Sequence, residues 1–115
     1  MLTVYGIPNC DTMKKAFGWL KANGVAYVFH DYRKVGIDSE RLAAWCGRLG
    51  WEKVLNKAST TFKALTDADK ADLDQATAIR LMVMQPSMIK RPIFETETNV
   101  VAGFKPGDEL LKLVR

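Results

Sequence analysis

The sequence predicts an α/β (α+β) fold, a four-stranded mixed sheet with a helical insertion before a C-terminal hairpin. Three observations support this prediction. A strand, a helix and a second strand follow one another near the N-terminus, which is typical of a right-handed parallel crossover. Residues 92–95 and 99–102 are two short apolar runs around Thr96-Glu97-Thr98, which indicates a hairpin. Between these units, about residues 38–88 show helical spacing, so we expect an insertion there.

The N-terminal unit begins with an apolar strand over residues 2–5 and changes to helical spacing after Gly6 and Pro8 interrupt it. One face of the predicted helix is apolar. Gly24 is a natural stop for this helix, and the β-branched and aromatic residues of 25–29 predict the second strand directly after it.

The later elements follow from caps and breakers. We expect a polar connection over residues 31–36, a cap at Asp38 or Ser39, and the end of that helix at Gly50. From Trp51 to about Gln85 the chain shows no strand signal. The predicted elements there and beyond are short helices after Trp51, Ser59 and Asp72 or Asp74, a stop at Pro86, and a final helix from Pro106 to Val114.

Cys10 lies between the first strand and the first helix, where a thiol is placed for reaction. The backbone N–H groups at a helix N-terminus lack intrahelical partners, and the positive end of the helix dipole lies behind them. A thiolate is therefore stabilised relative to a thiol, and we expect a lowered pKa for Cys10. The neighbouring carboxylate of Asp11 opposes thiolate formation and reduces the expected shift.

Length, cysteine content and charge limit the class of protein. The 115 residues suit a single domain, residues 1–115. Two cysteines do not form a disulfide framework, and we found neither a membrane-spanning run nor a secretory signal, so we expect a cytoplasmic protein. The net charge is +4, but basic residues never run longer than two and acids are interleaved with them. We therefore expect no nucleic-acid partner, whereas a small anion remains compatible.

Other candidate residues have simpler interpretations. Cys46 lies on the apolar stripe of its helix with Leu42 and Leu49, so we interpret it as a core residue. His30 has no companion ligand in the sequence, and we predict no metal site. We interpret Arg33-Lys34 as part of a solvated loop, and contact of this pair with a ligand stays an alternative.

The order of the elements is that of the thioredoxin-like fold. Three motifs then resemble the ArsC and Spx family of arsenate reductase-like proteins, most closely its YffB-type branch. They are Tyr5, Pro8, Cys10 and Thr12; Met88-Ile89-Lys90-Arg91-Pro92-Ile93; and Gly103-Phe104-Lys105-Pro106. The resemblance covers essentially the whole chain, and for this branch it implies a glutathione-dependent thiol reductase.

The resemblance also implies roles for particular residues. Cys10 matches the nucleophile of the family, and Arg91 matches the arginine that contacts an oxyanion or a thiol adduct and lowers the pKa of the cysteine. Pro92 matches the proline that is commonly cis. We further expect Lys105, Asn9 and Thr12 to contribute to binding of the substrate or glutathione.

The chain departs from the family pattern at several positions. Lys105 replaces an arginine and loses its bidentate fork, Asn56 aligns with another arginine, and Gly6 replaces a histidine. Each lost charged hydrogen bond costs about 1.5–3 kcal/mol, so these changes weigh against efficient arsenate reduction. Met13 stands where Spx proteins have the second cysteine of a Cys-x-x-Cys pair, which excludes redox sensing by a local disulfide.

The resulting hypothesis is a glutathione-dependent thiol reductase that uses the Cys10 thiolate and forms a mixed disulfide with glutathione. No bound cofactor is expected, and glutathione is the co-substrate. The substrate is an unidentified thiol, disulfide or oxyanion compound; we expect a monomer that does not bind membranes. Two alternatives stay open: a non-catalytic, Spx-like interaction or regulatory module with a protein partner, and a weak arsenate reductase.

Overall fold

A computed structural model describes residues 1–114 of the chain and shows the predicted four-stranded mixed sheet. Arg115, the last residue of the predicted domain, lies outside the described residues. The central strand pairs in parallel with the second strand and antiparallel with the third, which pairs antiparallel with the fourth. The strands are β1 (Leu2–Gly6), β2 (Tyr27–Asp31), β3 (Ile93–Glu95) and β4 (Val100–Ala102), in the spatial order β2-β1-β3-β4.

Helices connect and cover these strands. They are α1 (Asp11–Ala22), α2 (Tyr32–Val35), α3 (Ser39–Leu49), α4 (Trp51–Val54), α5 (Thr60–Lys63), α6 (Asp67–Lys70), α7 (Gln75–Met84) and α8 (Asp108–Val114), with a 3-10 turn at Pro86–Met88. Side-chain oxygens of Asp38, Ser59 and Asp74 cap α3, α5 and α7, respectively. The insertion therefore contains the helices that its caps predicted.

The structure corrects several predicted boundaries. The connection after β2 is not irregular, because Asp31 caps the four-residue helix α2 and Tyr32 within it is fully buried. Helix α6 was not predicted, and α8 begins at Asp108 instead of Pro106. The insertion also contributes one antiparallel bridge, between Leu55 and Ile89, although it holds no strand among the described residues. Helices α2 and α6 have four residues, too few to show a periodicity, whereas the equally short α4 and α5 were predicted from Trp51 and from the Ser59 cap.

The sheet separates two hydrophobic clusters. Along β1, successive side chains point to opposite faces, so Val4 packs with α1 and α8 while Tyr5 packs with the insertion. The first cluster includes Met13, Leu20 and Leu110, and the second includes residues of α3, α4 and α7. The chemistry-bearing residues lie at strand ends, with Cys10 after β1 and Arg91 before β3.

Glu95 connects the hairpin to α3. Its carboxylate accepts hydrogen bonds from the Tyr5 hydroxyl at 2.7 Å and from the Trp45 indole N–H at 2.9 Å, and it forms an ion pair with Arg41. Burial and the Glu95 carboxylate raise the pKa of Tyr5. This network uses polar groups on the insertion side to hold α3 against the sheet.

None of the helices formed by residues 1–114 is both long and apolar enough to cross a membrane.

Candidate active site

Cys10 is the N-cap residue of α1. Its backbone is extended, with φ −136° and ψ 134°, and its carbonyl accepts the first helical hydrogen bond from the Lys14 N–H at 2.9 Å. Gly6 and Pro8 end the strand before it, so the chain turns and presents the thiol at the start of the helix. The thiol is partly exposed. This is the position that the sequence predicted for it.

The environment of Cys10 favours the thiolate. Burial raises the pKa of Cys10, but the backbone N–H of Met13, the Arg91 side chain and the backbone N–H of Thr12 outweigh this effect, and the net pKa is lowered. Asp11 is exposed, which leaves its carboxylate screened by solvent. The predicted direction of the shift is confirmed, and Arg91 is one of its causes.

The insertion holds Arg91 in place beside Cys10. The guanidinium donates from Nη1 to the Ser87 carbonyl at 3.3 Å, and Ser87 Oγ is hydrogen-bonded to Thr61 at 2.8 Å. The Arg91 side chain also interacts with the hydroxyl of Tyr32, which donates to the Ile89 carbonyl at 3.0 Å. Arg91 Nε is buried and has no hydrogen-bond partner within residues 1–114.

Backbone hydrogen bonds join the insertion to the segment before β3. The Asn56 N–H donates to the Met88 carbonyl at 2.7 Å, and the Lys90 N–H donates to the Val54 carbonyl at 2.7 Å. Asn56 uses its side-chain oxygen locally, as an acceptor for the Ala58 N–H. Asn56, which aligns with a family arginine, thus uses its backbone N–H to join the insertion to Met88 and its side chain to form a local turn.

Pro92 follows Arg91 through a cis peptide bond, as the resemblance implied. The Pro92 carbonyl accepts a hydrogen bond from the Gly103 N–H at 2.8 Å, which places the β4–α8 loop beside the proline. Gly103 has φ +88°, a conformation that glycine adopts without strain. Lys105 is exposed in the same loop. Its role in binding stays a prediction.

A shallow cleft beside the Cys10 loop contains residues that the sequence did not assign to the site. Asn9 lines it together with Asp31, Arg33 and Lys34, and its volume is about 310 Å³. The Asp31 carboxylate accepts hydrogen bonds from the backbone N–H groups of Arg33 and Lys34 at 3.1 and 3.3 Å. This cap fixes the start of α2 and leaves both cationic side chains exposed. The only signal in the sequence was the Arg33-Lys34 pair, which was interpreted as a solvated loop.

Gly6 and Met13 fit together. A Cβ atom on Gly6 would lie 2.5 Å from Met13 Sδ and 2.6 Å from Met13 Cε. Met13 is fully buried, so its side chain fills the space that a residue larger than glycine would need. Positions 6 and 13, which both depart from the family pattern, are therefore coupled, because the Met13 side chain occupies the space that Gly6 leaves free.

Cys46 is buried in α3 within the cluster on the insertion side, whereas Cys10 packs at the edge of the cluster formed with α1. Only 2% of Cys46 is exposed, and burial raises the pKa of its thiol. Its interpretation as a core residue is confirmed. His30 Nε2 lies 2.8 Å from the Gly36 carbonyl, and the ring packs 4.9 Å from that of Tyr5.

The fold and the site together define a thioredoxin-like domain with a single cysteine at the start of its first helix and an arginine before a cis-proline. Residues 5–112 match the model of the ArsC family, and the chain belongs to this family. It does not contain a Cys-x-x-Cys pair at this helix.

Similar proteins agree with this assignment. The solved structure of a YffB protein is 54% identical, with a TM-score of 0.93 over 99% of this chain and 98% of that one. That of an arsenate reductase (ArsC) related protein from Brucella melitensis is 48% identical, with a TM-score of 0.76 over 91% and 88%.

Two regulators are also similar. The regulatory protein MgsR of Bacillus subtilis is 30% identical and the alignment covers 97% of this chain and 89% of MgsR. The global transcriptional regulator Spx of Streptococcus mutans is 26% identical over 90% of this chain and 77% of Spx. The family therefore includes relatives named as regulators and relatives named after arsenate reductase.

Proposed function

We propose that the protein is a glutathione-dependent thiol reductase and that Cys10 is its nucleophile. The observation that supports this most directly is the arrangement around Cys10, where two backbone N–H groups at a helix N-terminus and the Arg91 side chain lower the pKa of a partly exposed thiol. A thiolate, and not a thiol, is the species that attacks a disulfide.

The reaction proceeds by two exchanges. The Cys10 thiolate attacks the glutathione sulfur of a mixed disulfide; a Cys10–glutathione disulfide forms, and the substrate sulfur leaves as a thiolate that takes up a proton. The thiolate of a second glutathione molecule then attacks the glutathione sulfur of that adduct. Cys10 leaves again as a thiolate, glutathione disulfide is released, and the substrate has gained two electrons.

Glutathione is an anion with two carboxylates, so its binding requires cations or amide donors near Cys10. Arg33 and Lys34 line the cleft that Asn9 shares, and both side chains are exposed. The Arg91 guanidinium lies beside Cys10 and interacts with its thiol. We assign the carboxylates of glutathione to the Arg33 and Lys34 side of Cys10, with Thr12, Pro92 and Lys105 as the other proposed contacts.

An external thiol resolves the adduct in this scheme. Met13 occupies the position at which a local resolving cysteine would stand. Cys46 is 98% buried in a different cluster, where its pKa is raised. Both cysteines are free thiols, which fits a reducing compartment such as the cytoplasm.

Arsenate reduction is a weaker alternative. Tetrahedral oxyanions are held by several charged donors, and here Arg91 is the arginine beside the thiol, while Asn56 and Lys105 stand at the other two positions. Asn56 moreover uses its side-chain oxygen within its own turn.

Similarity to MgsR and Spx supports a second candidate, a regulator that binds a protein partner. In such a protein Cys10 would be dispensable for binding. A partner recovered in a one-to-one ratio by both the native chain and Cys10→Ser, combined with the absence of thiol transfer, would favour this candidate.

The test uses a cysteine peptide in mixed disulfide with glutathione, with Cys46→Ser as the background. We expect release of the free peptide with glutathione as the reductant, a Cys10–glutathione adduct in mass spectra when the second glutathione is withheld, and activity at the uncatalysed level in Cys10→Ser. Full activity of Cys10→Ser would overturn the proposal.

A further inference from the structure

Beyond the Cys10 site, the helical insertion and the segment before β3 form a cleft lined by lysines. Its volume is about 520 Å³, and its cationic residues are Lys53, Lys57 and Lys90. Glu52 is the acidic residue on its wall, and Ala102 lies at its border. All three lysines are exposed.

A second cleft continues from the same border. It is lined by Ala102, Gly103, Lys105 and Lys112 and has a volume of about 440 Å³. Its other walls are more apolar and include Val101, Leu110 and Leu113, beside Asn99 and Glu109. A Cβ atom on Gly103 would lie 3.4 Å from Lys90 Cε, so the two clefts adjoin where Lys90 crosses this glycine. We call the combined surface the lysine groove, defined by Lys53, Lys57, Lys90, Lys105 and Lys112.

No ion pair within residues 1–114 neutralises the charges of the lysine groove. Among residues 1–114, the ion pairs are Met1 with Glu97 and Arg41 with Glu95, and no lysine of the groove takes part in them. Lys57 Nζ lies 5.3 Å from the centre of the Trp51 ring, which holds this ammonium group near the groove without cancelling its charge. Five lysines face two glutamates across the groove, so it attracts anions.

Two residues of the groove's lining neighbour the Arg91-Pro92 motif. Lys90 precedes Arg91, whose side chain interacts with Cys10, and Gly103 donates to the carbonyl of Pro92. The groove does not share a lining residue with the Asn9, Arg33 and Lys34 cleft, and Lys105 is its one lysine that is also a proposed contact of glutathione. A protein whose cysteine carries the glutathione that Cys10 attacks would therefore have a further cationic surface available to the chain that flanks this cysteine.

We infer that the lysine groove binds an acidic polypeptide segment next to the target cysteine of a protein substrate. This inference rests on the proposed thiol exchange, and it specifies the substrate as a protein with Asp and Glu, interspersed with apolar residues, near the glutathionylated cysteine. The acidic side chains pair with the lysines, and the apolar ones contact Val101, Leu110 and Leu113.

A polypeptide fits this surface better than a nucleic acid. Glu52 and Glu109 lie among the lysines and would repel a continuous phosphate backbone, whereas a peptide can place neutral residues opposite them. The apolar wall of the second cleft offers contacts to Leu or Val side chains. A glutathionylated protein also supplies the mixed disulfide that Cys10 attacks in the proposed reaction.

The test measures binding without catalysis. A fluorescein-labelled peptide of alternating Asp or Glu and Leu, lacking cysteine, is titrated with the Cys10→Ser chain at about 50 mM salt and followed by fluorescence anisotropy. The comparison peptide has Asn and Gln at the acidic positions. We expect the acidic peptide to bind about tenfold more tightly or better, and this difference to shrink at about 0.5 M salt because the charges are exposed.

Two variants with equal loss of charge locate the binding. In Lys53→Gln/Lys57→Gln/Lys90→Gln we expect the affinity for the acidic peptide to fall about tenfold, since each exposed ion pair contributes a few-fold. In Lys21→Gln/Lys63→Gln/Arg80→Gln, whose residues lie outside both clefts, we expect less than about a twofold change.

Equal binding of the two peptides, an equal loss in both variants, or displacement of the acidic peptide by a single-stranded RNA at lower concentration than by unlabelled peptide would overturn the inference. These outcomes are independent of thiol transfer, because Cys10 is absent from the binding assay. Conversely, selective peptide binding by a chain that transfers no thiol would reject the proposed function and leave the groove as a protein-docking surface.

Discussion

The two cysteines of this chain are the same chemical group in opposite environments. Cys10 lies at the start of α1 with backbone N–H groups and a guanidinium near its sulfur, and its pKa is lowered. Cys46 lies on the buried face of α3, and burial raises its pKa. The difference shows that the pKa of each thiol here depends on oriented donors and burial, and not on the presence of a thiol alone.

The surroundings of each cysteine are built differently as well. Cys46 is held by apolar packing among residues of the insertion. Cys10 depends on groups from distant parts of the chain, since Arg91 is 81 positions away and is positioned by Ser87 and Tyr32. A thiolate site therefore requires the sheet and the insertion to be docked correctly, whereas a buried thiol requires only a core.

The largest contrast that we predict is in alkylation of the native chain. At neutral pH, Cys10 should react with iodoacetamide about a thousandfold or more faster than Cys46, because Cys46 reacts only after the core opens. Mass spectrometry of timed samples would measure both rates, and about 6 M guanidinium should remove most of the difference. Comparable native rates would contradict the burial of Cys46.

A second prediction concerns the cation beside Cys10. Arg91→Ala removes an interaction that favours the thiolate, so the pKa of Cys10 should rise and its alkylation near pH 7 should slow by about three- to tenfold. Arg91→Lys keeps the charge, so its rate of Cys10 alkylation should lie between those of the native chain and Arg91→Ala. The measurement is the pH dependence of alkylation in a Cys46→Ser background, with Arg48→Ala as a control for loss of a distant charge.

The same shift has a consequence for stability, with a sign that can be checked. The pKa of Cys10 is lowered on folding, so the ionised thiol stabilises the folded chain. This contribution is fully present at pH values above the pKa of the thiol in the unfolded chain, about 8.5. It disappears as the pH falls through the lower pKa of the folded chain. A stability difference between the native chain and Cys10→Ser that increased towards acidic pH would contradict the assignment.

A further prediction tests the packing that supports the Cys10 helix. Gly6→Ala should lower the free energy of unfolding by about 1–3 kcal/mol, because the new methyl group overlaps the buried Met13 side chain. Denaturant unfolding would measure it. In a Met13→Ala background the same substitution should cost less than half as much, since the space is then vacant; an unchanged penalty would show that Gly6 matters for another reason.

The sequence predicted much of the fold because its signals are local. Gly6 and Pro8 end a strand, helical spacing starts directly after Cys10, and Asp38, Ser59 and Asp74 provide caps where helices begin. Helices α2 and α6 were missed because four residues cannot display a periodicity. The cis form of Pro92 and the position of Arg91 came from the family resemblance, as nothing in the local sequence requires either.

By itself, the sequence determined the kinds of elements, their order, a thiol at a helix start and a second thiol in a core, since each depends on neighbours within a few positions. The tertiary structure alone decided that Arg33 and Lys34 line a cleft with Asn9, that Met13 fills the space beside Gly6, and that lysines from three loops and two helices form one groove. These relations join residues far apart in the chain, and only the pairing of the strands and the docking of the insertion bring them together.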